Sequence, residues 1–373
     1  MTAGSQAGSD DIAHMRAALS LGARGLGTTW PNPSVGCVIV RDGLVVGRGW
    51  TARGGRPHAE TRALEQAGEA ARGATVYVTL EPCANWGRTP PCAKALIDAG
   101  VARVVVATLD PDPRVDGRGI AWLREAGVEV ETGTLDDEAR AQHVGLYRRI
   151  LDHRPMVSLK LAQSLDGRIA ASTGHSQWIT SEPARAEAHR LRATHDAILV
   201  GSGTAVIDDP TLTCRLPGLE KASPVRIVLD RRLRLSPESR LAKSVDEAPV
   251  WVFTSSGLEN ERAERAAALR TVGVEVIDMP DPSIDAVLTH LAARSITRLL
   301  IEGGSTVAAS FLAADRVDRL HVATAPMVIG GDGLPSIAEL GLERVDEAQR
   351  WKRIESRAIG VDRLDVLERR ERG

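Results

Sequence analysis

Apolar runs of strand length recur along this chain, and helix-patterned segments separate them. TVYVTL (75–80) and VARVVVATL (101–109) stand in the first half. MVSLKLA, DAILVG, PVRIVLD, PVWVFT, VEVID and TRLLIEG follow in the second. Each is rich in β-branched and aliphatic residues, as strands are. The order strand, helix, strand, helix commits the chain to α/β layers. Before these runs, VGCVIVRDGLVVGRGW reads as two strands joined by a turn at Asp42-Gly43. HVATAPMVIG and RLDVLER read as closing strands.

Helices are expected at about 59–71, 91–99 (stopped by Gly100), 135–151, 182–193, 258–271, 284–293 and 305–314. Ser181 and Ser283 suit N-caps, and Glu182-Pro183 suits a first turn. Ile12, Met15 and Leu19 make a helical stripe after Asp10-Asp11, whereas residues 1–9 read as a disordered tail. A length of 373 residues suggests two domains. The HRP stretch at 153–155 is the expected boundary, giving 1–153 and 154–373.

Composition narrows the function. A formal net charge of -2 opposes broad nucleic-acid binding, which wants a basic face. There is no basic-then-apolar leader and no run of about 18 apolar residues, so a cytoplasmic protein without a membrane span is expected. Four cysteines in so long a chain oppose a disulfide framework. Cys37 reads as a packed strand residue and Cys214 as an incidental loop residue.

Cys83 and Cys92 are different. They bracket a stiff loop, EPCANWGRTPPC (81–92), with PHAE (57–60) upstream. His58, Cys83 and Cys92 offer one imidazole and two thiolates, three zinc ligands with a fourth position for water. Zinc lowers the pKa of such a water to about 7. Glu60 stands two residues after His58 and can shuttle protons without ligating. His-x-Glu followed by Pro-Cys-x-x-Cys is the signature of zinc deaminases. Both cysteines fall near expected helix starts, where partial positive charge favours the thiolate. A structural zinc site would want a fourth protein ligand, and none has matching spacing. His14 and His143 read as surface or capping residues.

The cysteine spacing narrows the class. Eight residues separate Cys83 from Cys92, where nucleic-acid and nucleoside deaminases typically have two. PNPSVGCVIV (31–40), PHAE, EPCANWGRTPPC and DPDP (110–113) resemble the bifunctional deaminase/reductase family of riboflavin biosynthesis. That family reads PNPxVGCVIV, PHAE, EPCSHxGRTPPC and DPNP. The resemblance implies an N-terminal cytidine-deaminase-like α/β/α domain. There, zinc held by His58, Cys83 and Cys92 would deaminate a diaminopyrimidinone carrying a phosphoribosylamino group, with Glu60 catalytic. Asn32, Arg88 and Asp110 would lie around the substrate. Thr51, Ala84-Asn85 and Asp112 depart from the family pattern, and none of them is a ligand or the proton shuttle.

In the second half, KLAQSLDGRIA, SQWIT, DAILVGSGTAVIDDPTLTCR and LLIEGGSTVAASF occur in the order seen in the family's reductase half. The Gly-Gly turn before a helix suits a phosphate, though it is a weak signal alone. The resemblance implies a C-terminal dihydrofolate-reductase-like α/β domain. Its NADPH site would use Ala162, Trp178, Thr204, Asp208, Gly304, Ser305, Thr306, Val307, Ala308, Ala309 and Ser310. Its substrate site would use Lys160, Ser176, Arg192, Leu212, Arg215 and Glu302, with the two arginines as phosphate partners. The reaction implied is reduction of a ribosyl to a ribityl side chain. Lys160 and Asp208 are both candidates for proton transfer, and Arg231 is a candidate for NADPH preference.

The expectation is thus a bifunctional enzyme with one zinc and NADPH, acting on a small phosphoribosylaminopyrimidine. Neither nucleic acid nor membrane is an expected partner, and homo-oligomerisation is left open. The competing readings are one active half only, a paralogue acting on a related pyrimidine, a nucleic-acid base deaminase, and a non-enzymatic zinc module. The long cysteine loop and sparse aromatics oppose the nucleic-acid deaminase. Glu60, which a binding module would not need, opposes the last.

Overall fold

The computed structural model describes residues 3–87, 90–257 and 261–369. The chain divides into two compact units at Arg154/Pro155. Among the described residues, no helix is long and apolar enough to cross a membrane.

The first unit contains, in order, α1 (Ala3–Ala23), β1 (Gly36–Arg41), β2 (Leu44–Trp50), α2 (Ala59–Ala67), β3 (Thr75–Val78), α3 (Cys92–Asp98), β4 (Arg103–Val106), α4 (Arg118–Glu125), β5 (Glu129–Thr132), α5 (Asp136–Gln142) and α6 (Val144–Leu151). The sheet order is β2-β1-β3-β4-β5. β1 runs antiparallel to both neighbours, and β3, β4 and β5 are parallel. Asp42 and Gly43 both have positive φ, 50° and 76°, the backbone that a tight hairpin turn demands. Residues of β1 alternate between two cores. Cys37 and Ile39 join Ala63, Leu96 and Leu123 on one face. Val38 and Val40 join Met15, Ala18 and Leu19 of α1 on the other.

Three expectations change here. Helix α1 begins at Ala3, so residues 3–9 are helical and not an irregular tail. AGSQAGS has no apolar stripe to announce it. The expected 135–151 helix is two, interrupted at His143. His143 is also not a surface residue: it is 3% exposed, with Nε2 3.2 Å from Thr79 Oγ1.

α1 crosses β1 very closely. A Cβ on Gly36 would lie 1.8 Å from the Ala18 carbonyl oxygen. Gly36→Ala is therefore expected to destabilise this unit by about 1–3 kcal/mol or more. Gly331→Ala, with nothing within 4 Å, is the neutral control. Denaturant titration of both variants checks the difference.

The second unit contains β6 (Met156–Ser164), β7 (Arg168–Ala170), α7 (Glu182–Ala193), β8 (Ala197–Gly201), α8 (Ser202–Ile207), β9 (Val225–Leu229), α9 (Arg240–Lys243), β10 (Val250–Ser255), α10 (Glu261–Thr271), β11 (Glu275–Met279), α11 (Ile284–Ala293), β12 (Arg298–Glu302), α12 (Ser305–Ala313), β13 (Arg319–Ala325), β14 (Leu334–Pro335), β15 (Trp351–Ile359) and β16 (Asp362–Arg369). Nine strands form one sheet in the order β11-β10-β9-β8-β12-β6-β13-β16-β15. The strands from β11 to β13 are parallel, and β16 and β15 close the edge antiparallel. The chain steps outward from β8 to β11, then returns to place β12 between β8 and β6. This reversal opens a crevice at the strand carboxyl ends, where ligands bind in such sheets.

Ser283 caps α11, accepting from Ala286 N. Ser181 stands at the N-cap of α7 as expected, but its side chain makes no cap bond: its hydroxyl donates to Asp362 Oδ2 at 2.7 Å. β15 is exposed along most of its length on both faces. It therefore lacks the apolar periodicity that would reveal it in sequence.

Candidate active sites

In the first unit, His58 sits at the N-terminus of α2, Cys83 in the loop after β3, and Cys92 opens α3. His58 Nδ1 lies 3.3 Å from Cys92 Sγ and 3.8 Å from Cys83 Sγ. The Cys92 backbone N–H donates to Cys83 Sγ at 3.3 Å. All three donor atoms lie within 4.8 Å of one another. A tetrahedral zinc, with bonds of about 2.0–2.3 Å, spaces its ligands by about 3.5–3.8 Å. The residues present fit that ion, through Nδ1 and two sulfurs.

Their electrostatics ask for a cation. The Cys83 thiol is drawn down to about 4, chiefly by a hydrogen bond from the Cys92 side chain and against the effect of burial. The Cys92 thiol is driven up by the same bond and by burial. A metal ion would ionise both. Glu60, 4% exposed in the first turn of α2, has its carboxyl raised by burial and then by Cys83, while His58 opposes. It is poised to hold a proton beside the cluster.

Asn32 Nδ2 donates to the Gly55 carbonyl at 2.8 Å and lies 3.4 Å from His58 Nε2. Asn32 thus reaches the outer side of the ligand ring. Asp110 follows β4; its carboxyl is raised to about 6, mainly by burial. Its Oδ1 accepts from Asp112 N at 2.9 Å. Arg88 lies outside the described residues. Thr51, a departure from the family pattern, is buried and its hydroxyl accepts from Val35 N at 3.0 Å. Glu81 had no expected role. Its buried carboxylate accepts from Gly117 N and Gly119 N, both at 3.0 Å, fixing the start of α4 beside the Cys83 loop. A Cβ on Gly119 would meet the Pro82 carbonyl at 1.9 Å, so a glycine belongs there. The GRG spacing was the available signal.

In the second unit a cleft of about 450 Å³ lies at the carboxyl ends of β6, β8 and β12. Ala162, Thr204, Asp208, Gly304, Ser305, Thr306 and Ala308 line it, together with Lys160, Ser176, Arg192, Leu212 and Glu302. Gly303 and Gly304 both have φ of 80°, which lets the turn face the cleft with bare backbone. The other expected residues stand off this wall. Trp178 is 66% exposed, with the Arg185 guanidinium 4.5 Å above its ring. Val307 packs toward Gly201, Ala309 is buried, and Ser310 Oγ donates to the Thr306 carbonyl at 2.8 Å. Arg215 is exposed, and its Nη1 donates to Thr211 Oγ1 at 2.9 Å. Leu334 and Ser336 complete the cleft from the short β14 region, which carries no motif.

Charge is concentrated across three strands. Glu302 lies opposite Lys160, which lies opposite His321. Arg192 grips Glu302 through two bonds, Nε to Oε1 at 2.8 Å and Nη2 to Oε2 at 2.7 Å. Arg192 Nη1 donates to the Thr213 carbonyl at 3.1 Å. The Arg192 fork is therefore engaged by Glu302 and is no open phosphate cradle. Burial lowers the Lys160 ammonium and Glu302 supports it. Burial raises the Asp208 carboxyl. Arg231 offers its backbone carbonyl to Arg262 at 2.8 Å and keeps an exposed side chain.

The comparisons with known proteins agree with this division. Residues 8–108 match the cytidine and deoxycytidylate deaminase zinc-binding region. Residues 155–364 match the RibD C-terminal domain. The chain is 44% identical to the riboflavin biosynthesis protein RibD of Aquifex aeolicus over 359 residues, covering 96% of this chain and 98% of that protein. It is 42% identical to its Escherichia coli counterpart over 365 residues, covering 94% and 97%. The structure of Acinetobacter baumannii RibD superposes with a TM-score of 0.89 at 37% identity, covering 98% and 100%. A Thermotoga maritima diaminohydroxyphosphoribosylaminopyrimidine deaminase/5-amino-6-(5-phosphoribosylamino)uracil reductase gives 0.85 at 35% identity, covering 97% and 99%. A zinc-binding deaminase region, a RibD reductase domain and these whole-length relatives together show that the chain belongs to the RibD family of riboflavin-biosynthesis proteins.

Proposed function

We propose that residues 1–153 deaminate 2,5-diamino-6-(5-phosphoribosylamino)pyrimidin-4-one, and that residues 154–373 then reduce the ribosyl group to ribityl with NADPH. The observation that carries this reading is the buried Glu60 beside a three-donor zinc site that leaves a fourth position open. Zinc, when bound by His58, Cys83 and Cys92, supplies a water acidified to near neutrality. Glu60 would move two protons in turn: one from the attacking water to the ring nitrogen, and a second from the hydroxyl on the attacked carbon to the departing amine, which leaves as ammonia. Asn32, Arg88 and Asp110 hold the substrate, and Asn32 also orients His58.

In the second unit NADPH supplies the hydride. Ala162, Trp178, Thr204, Asp208 and residues 304–310 hold the cofactor; Lys160, Ser176, Arg192, Leu212, Arg215 and Glu302 hold the substrate. With Arg192 engaged by Glu302, Arg215, exposed beyond the cleft lining on the 208–215 loop, is the cation offered to the substrate phosphate. Lys160, on the cleft wall between Glu302 and His321, is placed to deliver the proton.

A coupled assay tests both steps. Ammonia release should require zinc alone, and NADPH should then be consumed. A chelator should abolish the first signal and spare the second when the deaminated intermediate is supplied. Ammonia release that persists in metal-free protein would sink the first assignment. No NADPH oxidation with that intermediate would sink the second.

A further inference from the structure

Among the described residues, the largest fully buried side chain is charged, and the chemistry above does not use it. Arg226, on β9, has no exposed surface. Among the described residues no carboxylate pairs with it; its partners are carbonyls and a hydroxyl. Nη1 donates to the Thr211 carbonyl at 3.0 Å and to Ser244 Oγ at 2.6 Å. Nη2 donates to the Ser244 carbonyl at 2.6 Å and to the Ala248 carbonyl. The attraction of Glu247 offsets its burial in part, but a buried cation whose hydrogen bonds all go to neutral groups is costly.

Thr211 belongs to the loop at 208–215, which carries Asp208, Pro210 and Leu212 to the cleft wall. That loop is strained: Asp209 and Leu212 have φ of 37° and 56°. Non-glycine residues hold such backbone only where their surroundings over-determine it. Here the anchors flank Leu212. Arg226 takes the carbonyl before it and Arg192 takes the carbonyl after it, at 3.1 Å. Arg240 N fixes Asp209 Oδ1 at 2.8 Å. Arg215, next along the loop, rests on the same Thr211 through its hydroxyl.

We propose that Arg226 is a positioning residue for the pyrimidine substrate. Its guanidinium ties the Thr211 carbonyl to the 244–248 segment, and so holds the left-handed turn that presents Leu212 to the cleft and the stretch of loop that carries Arg215. The inference rests on the reductase reading of that cleft. Lysine would keep the charge but not the fork that spans Thr211, Ser244 and Ala248.

The test uses the full chain with the deaminated intermediate and NADPH. In Arg226→Lys the KM for the pyrimidine should rise about tenfold, as expected for losing a charge-assisted hydrogen bond, with kcat changed less than about threefold. Arg226→Met, if folded, should show a larger rise. Ser244→Ala trims the same cluster on the side away from the loop. It should lower the unfolding midpoint with a much smaller change in KM. Ammonia release by the first unit should be unchanged in all three. An unaltered pyrimidine KM in folded Arg226→Lys would overturn the proposal, as would equal KM changes in Arg226→Lys and Ser244→Ala. Wild-type protein unable to oxidise NADPH would instead overturn the reductase reading itself.

Discussion

Glu60→Gln lowers ammonia release by about 10²–10⁴-fold, while zinc content, and NADPH oxidation when the deaminated intermediate is supplied, stay at wild-type levels. The amide is isosteric with the acid and keeps the packing of a residue only 4% exposed. What it loses is the ability to take up and return a proton. The carboxyl is raised by burial and by the neighbouring Cys83, so it holds a proton more readily than a surface glutamate. The three ligand atoms are untouched, so metal analysis should still find one zinc per chain. Retention of more than a tenth of the deaminase rate would show that Glu60 is not the shuttle. Loss of zinc together with activity would place Glu60 in the metal site instead.

Glu302→Gln is the second large effect, and it falls on stability and catalysis together. The Arg192–Glu302 pair has side chains only 12% and 11% exposed. Removing one partner of a buried pair leaves the other charge uncompensated and costs about 3–5 kcal/mol. Two cations are stranded here, since Lys160 lies opposite Glu302 in the sheet. Burial already lowers the Lys160 ammonium, and losing Glu302 lowers it further. The pH dependence of NADPH oxidation should therefore shift toward lower pH, as less protonated Lys160 remains at neutrality. Denaturant unfolding gives the first number and a pH–rate profile the second. A double variant, Arg192→Met with Glu302→Leu, should recover the part of the stability lost through Arg192, with Lys160 still unsupported, and none of the turnover. Stability changed by less than about 1 kcal/mol in Glu302→Gln would mean that water screens the pair.

The metal cluster was legible in sequence because its ligands come from short segments fixed by a strand end and two helix starts. The parallel strands were legible because a strand buried on both faces reads as a continuous apolar run. β15 was not legible, since its environment imposes no pattern. The surface reading of His143 failed because its contact with Thr79 spans 64 residues, whereas the capping position held: it ends α5 and precedes α6. Arg192 was expected as a phosphate partner, and the structure adds that its guanidinium pairs with Glu302. A motif names an arginine without showing that a carboxylate 110 residues on already occupies its fork. Arg226 sits inside PVRIVLD, read correctly as a strand, yet nothing in that run says where its guanidinium goes.

The place of β12 in the sheet has a consequence for the order of events during synthesis. The central position between β8 and β6 is filled by residues made about a hundred positions after β8 leaves the ribosome. Until then β6 and β8 have no common neighbour, and the cleft has walls on either side of a gap. Contacts so distant along the chain form slowly. A nascent or truncated chain ending before Glu302 can hold most of the strands of this sheet and still have no cofactor pocket.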